Sequence, residues 1–197
     1  MTGSAKTIYN WLIFSMWLVI IAYWAVSAIS AKKSIRGARV WWREAGLRLG
    51  IFVLVVLALR IPAFRQSLRN AREYAAGTGL LTGALGVVLC AAGIWLAIWA
   101  RVYLGRNWGM PMSQKEHPEL VTSGPYAWVR HPIYAGMILA MFGSMIAQSI
   151  FWIAPLVLGA AYFLYSAWSE EKLMTEQFPN QYPAYRKRTK MFVPWVF

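Results

Sequence analysis

Charge is scarce in this chain of 197 residues: 14% of them are charged, where a soluble domain usually carries about a quarter. That shortage, with 59% apolar residues and a positive mean hydropathy, excludes an ordinary soluble globule and points to an integral membrane protein without a separate soluble domain. Cysteine is almost missing. The single Cys90 lies inside an apolar run, which excludes an intrachain disulfide and a multi-cysteine metal site, and its expected role is helix packing. No metal site is expected. The apolar run at 8–29 lacks the short core and small-residue cleavage site of a signal peptide, so it reads as a retained helix.

Basic residues outnumber acidic ones, twenty to seven, for a formal net charge of +13. They flank apolar segments rather than forming a stripe, so anionic lipid headgroups are the expected partner and nucleic acid is not.

Apolar stretches of spanning length occupy 8–29, 47–64, 80–100 and 133–168. The last is long enough for two helices, with Gln148, Ser149 and Pro155 marking a hairpin near its middle. The expected fold is therefore an all-α polytopic bundle of about five transmembrane helices in a single membrane domain, 1–197, with N-terminal helices and loops in 1–78 and the chemistry in 79–197. Lysine and arginine are distributed 14 to 4 between the two sets of loops. The positive-inside rule then puts the N-terminus outside and residues 101–132 and the C-terminus in the cytoplasm, as in a bacterial inner membrane.

"GTGLLTG" at 77–83 imitates a dinucleotide-binding loop, but its last glycine is one position late and no strand precedes it. Gly79 and Gly83 instead have the small-xxx-small spacing that lets helix backbones approach.

The most polar stretch is "VTSGPYAWVRHPIYAG" at 121–136. If 133–168 leaves the membrane face and returns, Arg130 and His131 at its start meet Glu170 and Glu171 at its end. Pro132 suits the first helical turn, and His131 lies at the positive helix end, where an anionic group is favoured. A basic corner, an acidic corner and an apolar wall suit an amino-acid end such as that of S-adenosylmethionine, whose sulfonium is also favoured by π-faces.

These residues resemble the membrane-embedded isoprenylcysteine carboxyl methyltransferases and, more loosely, the phospholipid methyltransferases. The resemblance covers 93–197 and rests on "LGRNWG" at 104–109, "LVTSGPYAWVRHPIYAG" at 120–136, "EE" at 170–171 and "FPNQYPAYRKRTKMFVP" at 178–194. It implies S-adenosylmethionine as cofactor, contacted by His131, Tyr134, Glu170, Glu171, Tyr126 and His117. It implies Arg130 and Arg188 as the catalytic arginines and Arg186, Tyr185 and Trp108 on the substrate side. Tyr182 and Tyr185 match the tail's paired tyrosines. His117 stands three residues before Leu120 where relatives have a histidine two before, and Lys190 stands where many have arginine.

A carboxylate acceptor is ionised at neutral pH and needs no general base, whereas an amine acceptor needs one. The expected reaction is thus carboxyl methylation of an isoprenylcysteine-like or other lipophilic acceptor. The alternatives are a phospholipid or amine N-methyltransferase, a sterol-type reductase using NADPH, and a non-catalytic membrane scaffold. The sequence leaves the acceptor and the oligomeric state open.

Overall fold

The computed structural model describes residues 3–28, 60–62, 66, 79–107, 119–149 and 152–195. Five α-helices occupy most of them: α1 Gly3–Ala28, α2 Leu80–Leu104, α3 Pro132–Ala147, α4 Ile153–Gln177 and the short α5 Tyr182–Arg188. Single 3-10 turns lie at Gly105–Asn107 and Gly124–Ala127, and the described residues form no β-strand. The described residues are all-helical, as expected. The span expected at 47–64 lies almost wholly outside the described residues.

Two of these helices, Ala5–Ala28 and Leu80–Leu104, are long and apolar enough to cross a membrane. Helix α3 is apolar but has 16 residues, about 24 Å at 1.5 Å per residue, less than the roughly 30 Å of a hydrocarbon core. Helix α4 has 25 residues, and its last third, from Ser169 onward, is polar.

The bundle is organised by small residues. Helices α2 and α3 run antiparallel with their backbones in contact: a Cβ added at Gly93 would fall 2.5 Å from the Ala140 nitrogen, and one at Gly143 would fall 2.6 Å from the Gly86 oxygen. Gly136, Ala140, Gly143 and Ala147 on α3 therefore face Gly86, Cys90, Gly93 and Ala97 on α2, all buried. Between apolar helices in lipid such close van der Waals contact is the main source of association. Cys90 is fully buried in this seam, in its expected packing role.

The glycine expectation holds at one position and fails at the other. Gly83 is buried beneath the Tyr9 ring of α1, whose hydroxyl donates to the Leu80 carbonyl at 3.1 Å. Gly79 is exposed at the start of α2 and meets nothing closer than the Thr82 hydroxyl at 3.7 Å. The seam lies at Gly86 and Gly93 instead, because those face the small residues of α3.

Contacts at both ends make α1 and α2 parallel. Tyr9 meets Leu80 at one end, and at the other the buried Arg101 donates to the Ser27 carbonyl at 2.8 Å and the Gly105 carbonyl at 2.7 Å. Gly105, at φ 53°, turns the chain where α2 stops, a conformation that costs glycine nothing. In the middle, the Trp17 indole donates to the Ser144 hydroxyl of α3 at 3.0 Å.

Helix α4 returns antiparallel to α3, with Phe163 stacked on Tyr134 at 4.9 Å between ring centres. The hairpin thus brings the start of α3 and the C-terminal part of α4 to the same end of the bundle as Arg101.

Candidate active site

Two prolines and a glycine shape the approach to α3. Gly124 adopts φ 59° with its backbone against the Tyr103 ring, and Pro125 opens the turn that buries Tyr126. Pro132 occupies the first turn of α3, where an amide N–H would have no helical partner. Between them, Val129 forms an isolated parallel bridge with Lys190 of the tail. The Arg130 N–H donates to the Lys190 carbonyl at 2.8 Å, and the His131 N–H donates to the Met191 carbonyl at 3.0 Å. The C-terminal tail is therefore strapped across the start of α3.

The four charged residues picked out from the sequence meet here. Arg130 Nε donates to Glu171 Oε1 at 2.6 Å, and both side chains are buried. The other oxygen, Oε2, is ion-paired with Arg186 Nε at 3.1 Å, so one carboxylate bridges the loop before α3 and helix α5. His131 Nδ1 lies 3.5 Å from Glu170 Oε2, and its Nε2 lies 3.6 Å from Glu171 Oε1. That Nε2 is buried and has no hydrogen-bond partner among the described residues. The Tyr134 hydroxyl donates to Glu170 Oε1 at 2.5 Å.

Burial by itself would lower the His131 pKa, but the carboxylates of Glu170 and Glu171, 3.5 Å and 3.6 Å from its two ring nitrogens, outweigh it and hold the imidazole above its ordinary value. Burial would likewise raise Glu171, yet His131 and Arg130 pull it below the usual carboxylate range. The pair therefore favours imidazolium beside carboxylate.

Arg130 is turned inward. Its Nη1 donates to the Thr189 carbonyl and to the Arg186 carbonyl at 3.3 Å. With Nε on Glu171, the guanidinium holds the tail to α4. Arg186 faces outward, with its side chain 59% exposed, and Arg188 is exposed as well. Arg188 lies over the Tyr185 ring, 5.7 Å from its centre. The Tyr185 hydroxyl, pushed up to about 12 chiefly by burial, donates to the Tyr126 carbonyl at 2.7 Å. Tyr182 is buried edge-on against Tyr185. These tyrosines brace the tail against the turn at 124–127. Trp108 and His117 lie outside the described residues.

The sequence reading missed Thr189, whose buried backbone carbonyl anchors Arg130, and Met191 and Phe192, which pack with Tyr134 and Ala167 beside His131. Nothing local marks them, because a bridge between residues 129 and 190 leaves no periodic trace. It also missed a cleft of about 430 Å³ lined by Trp168, Glu171, Lys172, Thr175, Glu176 and Arg186. Counting threes and fours from Trp168 along α4 finds its helical wall.

The family model described as phospholipid methyltransferase matches residues 81–181, a region that holds all of α2 but its first residue, the whole of α3 and α4, and the four-residue charge cluster. Among curated proteins the chain is 30% identical over 150 residues to the nickel-cobalt-cadmium resistance protein NccN of Alcaligenes xylosoxydans xylosoxydans, covering 75% of this chain and 64% of that one. It is 33% identical over 88 residues to methanethiol S-methyltransferase 1 of Bradyrhizobium diazoefficiens, 40% of this chain and 27% of that enzyme. It is 30% identical over 115 residues to protein-S-isoprenylcysteine O-methyltransferase B of Arabidopsis thaliana, covering 56% and 58%. The chain thus spans less than two thirds of the length of each of these relatives.

Proposed function

The chain belongs to the phospholipid methyltransferase family, and from that premise we propose that it is a membrane-embedded enzyme that uses S-adenosylmethionine to methylate the carboxylate of a lipophilic acceptor, of the isoprenylcysteine type. The observation that carries the reading is the cluster of His131, Glu170 and Glu171, two carboxylates and an imidazole with an unsatisfied buried nitrogen, closed on one side by aromatic rings.

The donor set fits the cofactor. Glu170 keeps a quarter of its side chain exposed and offers its carboxylate to an ammonium group. His131 Nε2, when protonated, is a buried donor suited to a carboxylate. The rings of His131 and Tyr134, parallel and 5.5 Å apart, and Phe163 beyond them provide π-faces of the kind that favour a sulfonium. When bound, S-adenosylmethionine supplies an electrophilic methyl group.

The protein's own part is to position and to exclude water. A carboxylate acceptor is ionised at neutral pH, so no side chain has to remove a proton from it. Arg186 is the exposed guanidinium beside Glu171 and has the planar fork that orients a carboxylate through paired hydrogen bonds. Arg130 and Glu171 fix Arg186 and the tail, and Met191 and Phe192 cover the apolar side. Holding two reactants in place can lower a barrier by roughly 7–11 kcal/mol, enough for such a site to work without acid–base chemistry.

The test is transfer of a tritiated methyl group from S-adenosylmethionine to a lipid extract by membranes containing the protein. Carboxyl methylation predicts a product that releases labelled methanol in mild base. Label that enters lipid but survives base would replace the ester reading with N- or S-methylation.

A further inference from the structure

The segment that follows α5 runs toward the membrane. Its bridge to Val129 is parallel, so 190–192 takes the direction in which 129–131 enters α3. Met191 is level with His131, and the Phe192 ring lies 6.0 Å from the His131 ring, beside Tyr134 in the first turn of α3. Beyond them Val193 and Trp195 are left 49% and 87% exposed.

A belt of aromatic rings lies at the same end of the bundle. Trp99 of α2 stacks on Trp95 at 5.0 Å between ring centres and meets Tyr103 and Trp128 edge-on at 6.0 Å and 6.4 Å. Trp128 is exposed, and its carbonyl accepts from the Lys190 N–H at 3.4 Å. Amphipathic rings of this kind gather at the level of the lipid headgroups. Lys190 is thus placed at that level by its bond to Trp128, with Lys187 and Arg188 just before it in the chain and Trp195 beyond it.

The tail is charged in one sense. Residues 177–197 hold four basic side chains and no acidic one. Arg186 pairs with Glu171, whereas no carboxylate among the described residues pairs with Lys187, Arg188 or Lys190, all three exposed. The nearest acidic residue in the chain, Glu176, lines the cleft that holds Lys172 and Arg186.

We propose that the tail is an interfacial latch: Lys187, Arg188 and Lys190 bind the anionic headgroups of the surrounding leaflet, while Val193 and Trp195 insert at its acyl boundary. Electrostatic attraction and apolar insertion reinforce each other in such segments. The latch ties closure of the charge cluster to the charge of the leaflet, because the Lys190 and Met191 carbonyls accept from the Arg130 and His131 N–H groups and the Thr189 carbonyl accepts from Arg130 Nη1. A neutral leaflet leaves the tail to its protein contacts alone. The latch acts on the His131 cluster whatever ligand that cluster takes.

Hydrogen–deuterium exchange of the full chain in nanodiscs reads the latch, since the Arg130 and His131 amides exchange when their bonds to the tail open. Their exchange is expected to be about tenfold slower in equimolar phosphatidylcholine and phosphatidylglycerol than in phosphatidylcholine alone, the order of magnitude that a few basic residues gain at an anionic surface. High salt should remove the difference by screening. Lys187→Gln combined with Lys190→Gln should remove most of it, and Trp195→Ala should speed exchange in both bilayers. Equal exchange in the two bilayers, or an unchanged rate in Trp195→Ala, overturns the proposal. A difference that survives the two lysine substitutions also overturns it, by placing the anion on another basic segment. Equal slowing by soluble glycerophosphoglycerol in phosphatidylcholine does so as well, by making the tail a small-anion site.

Discussion

Glu171 holds Arg130 with one carboxylate oxygen and Arg186 with the other, at 2.6 Å and 3.1 Å. The two halves of this bridge differ in burial. Arg130 is 9% exposed in its side chain and Arg186 59%, so the first contact is protected from solvent and the second is screened.

That difference gives unequal mutational costs. Removing one partner of a buried pair strands the other charge, so Glu171→Gln should destabilise the solubilised protein by about 3–5 kcal/mol. Arg186→Ala removes an exposed partner and should cost no more than about 1 kcal/mol. Thermal or denaturant unfolding in detergent measures both, and equal losses would show that the bridge is not divided as described.

The His131 and Glu171 shifts predict a stability window. A raised histidine pKa contributes stability that is complete below about 6.5 and is lost as pH rises through the folded-state value. A depressed carboxylate contributes stability that is complete above about 4.5 and is lost as pH falls through its folded-state value. Both contributions are in force between pH 4.5 and 6.5. Melting temperature should be highest there and decline on the alkaline side, and His131→Gln should abolish that decline. A decline that persists in the variant would assign it to another group.

The seam between α2 and α3 predicts a contrast between glycines. Gly93→Leu puts side-chain atoms where the backbone of α3 lies and should cost about 3 kcal/mol or more. Gly79→Ala makes only an ordinary van der Waals contact with the Thr82 hydroxyl and should stay within about 0.5 kcal/mol. Unfolding in detergent compares the two, and a tolerated Gly93→Leu would mean that the helices separate more readily than their packing implies.

The parallel course of α1 and α2 sets the accessibility of the two ends. In a Cys90→Ala background, cysteines at the exposed positions Thr82 and Ser123 should be labelled from opposite sides of the membrane, with Ser123 on the cytoplasmic side. Labelling of Ser123 from outside would reverse the orientation deduced from lysine and arginine.

Much of this site could be read before the structure, because its pieces sit at helix ends. Pro132 marks where α3 begins and the turn near Gln148 marks where it ends, so the approach of Arg130 and His131 to Glu170 and Glu171 followed from the length of the hairpin. The seam glycines were harder to choose. "GTGLLTGALG" contains several small pairs, and only the opposing Gly136, Ala140, Gly143 and Ala147 decide which of them is used. The inward turn of Arg130 was hidden altogether. It depends on carbonyls at 186 and 189, which reach the loop through a tail strap with no counterpart in local sequence.

The central claim is that the His131–Glu170–Glu171 cluster holds the methyl donor. Calorimetric titration of the detergent-solubilised protein with S-adenosylhomocysteine, and in parallel with NADPH, tests it most directly. The account predicts saturable binding of the first and none of the second, with His131→Ala weakening the first by about 1.5–3 kcal/mol, the usual worth of a hydrogen bond to a charged group. Binding of NADPH alone, or S-adenosylhomocysteine affinity unchanged in a folded His131→Ala protein, would contradict it.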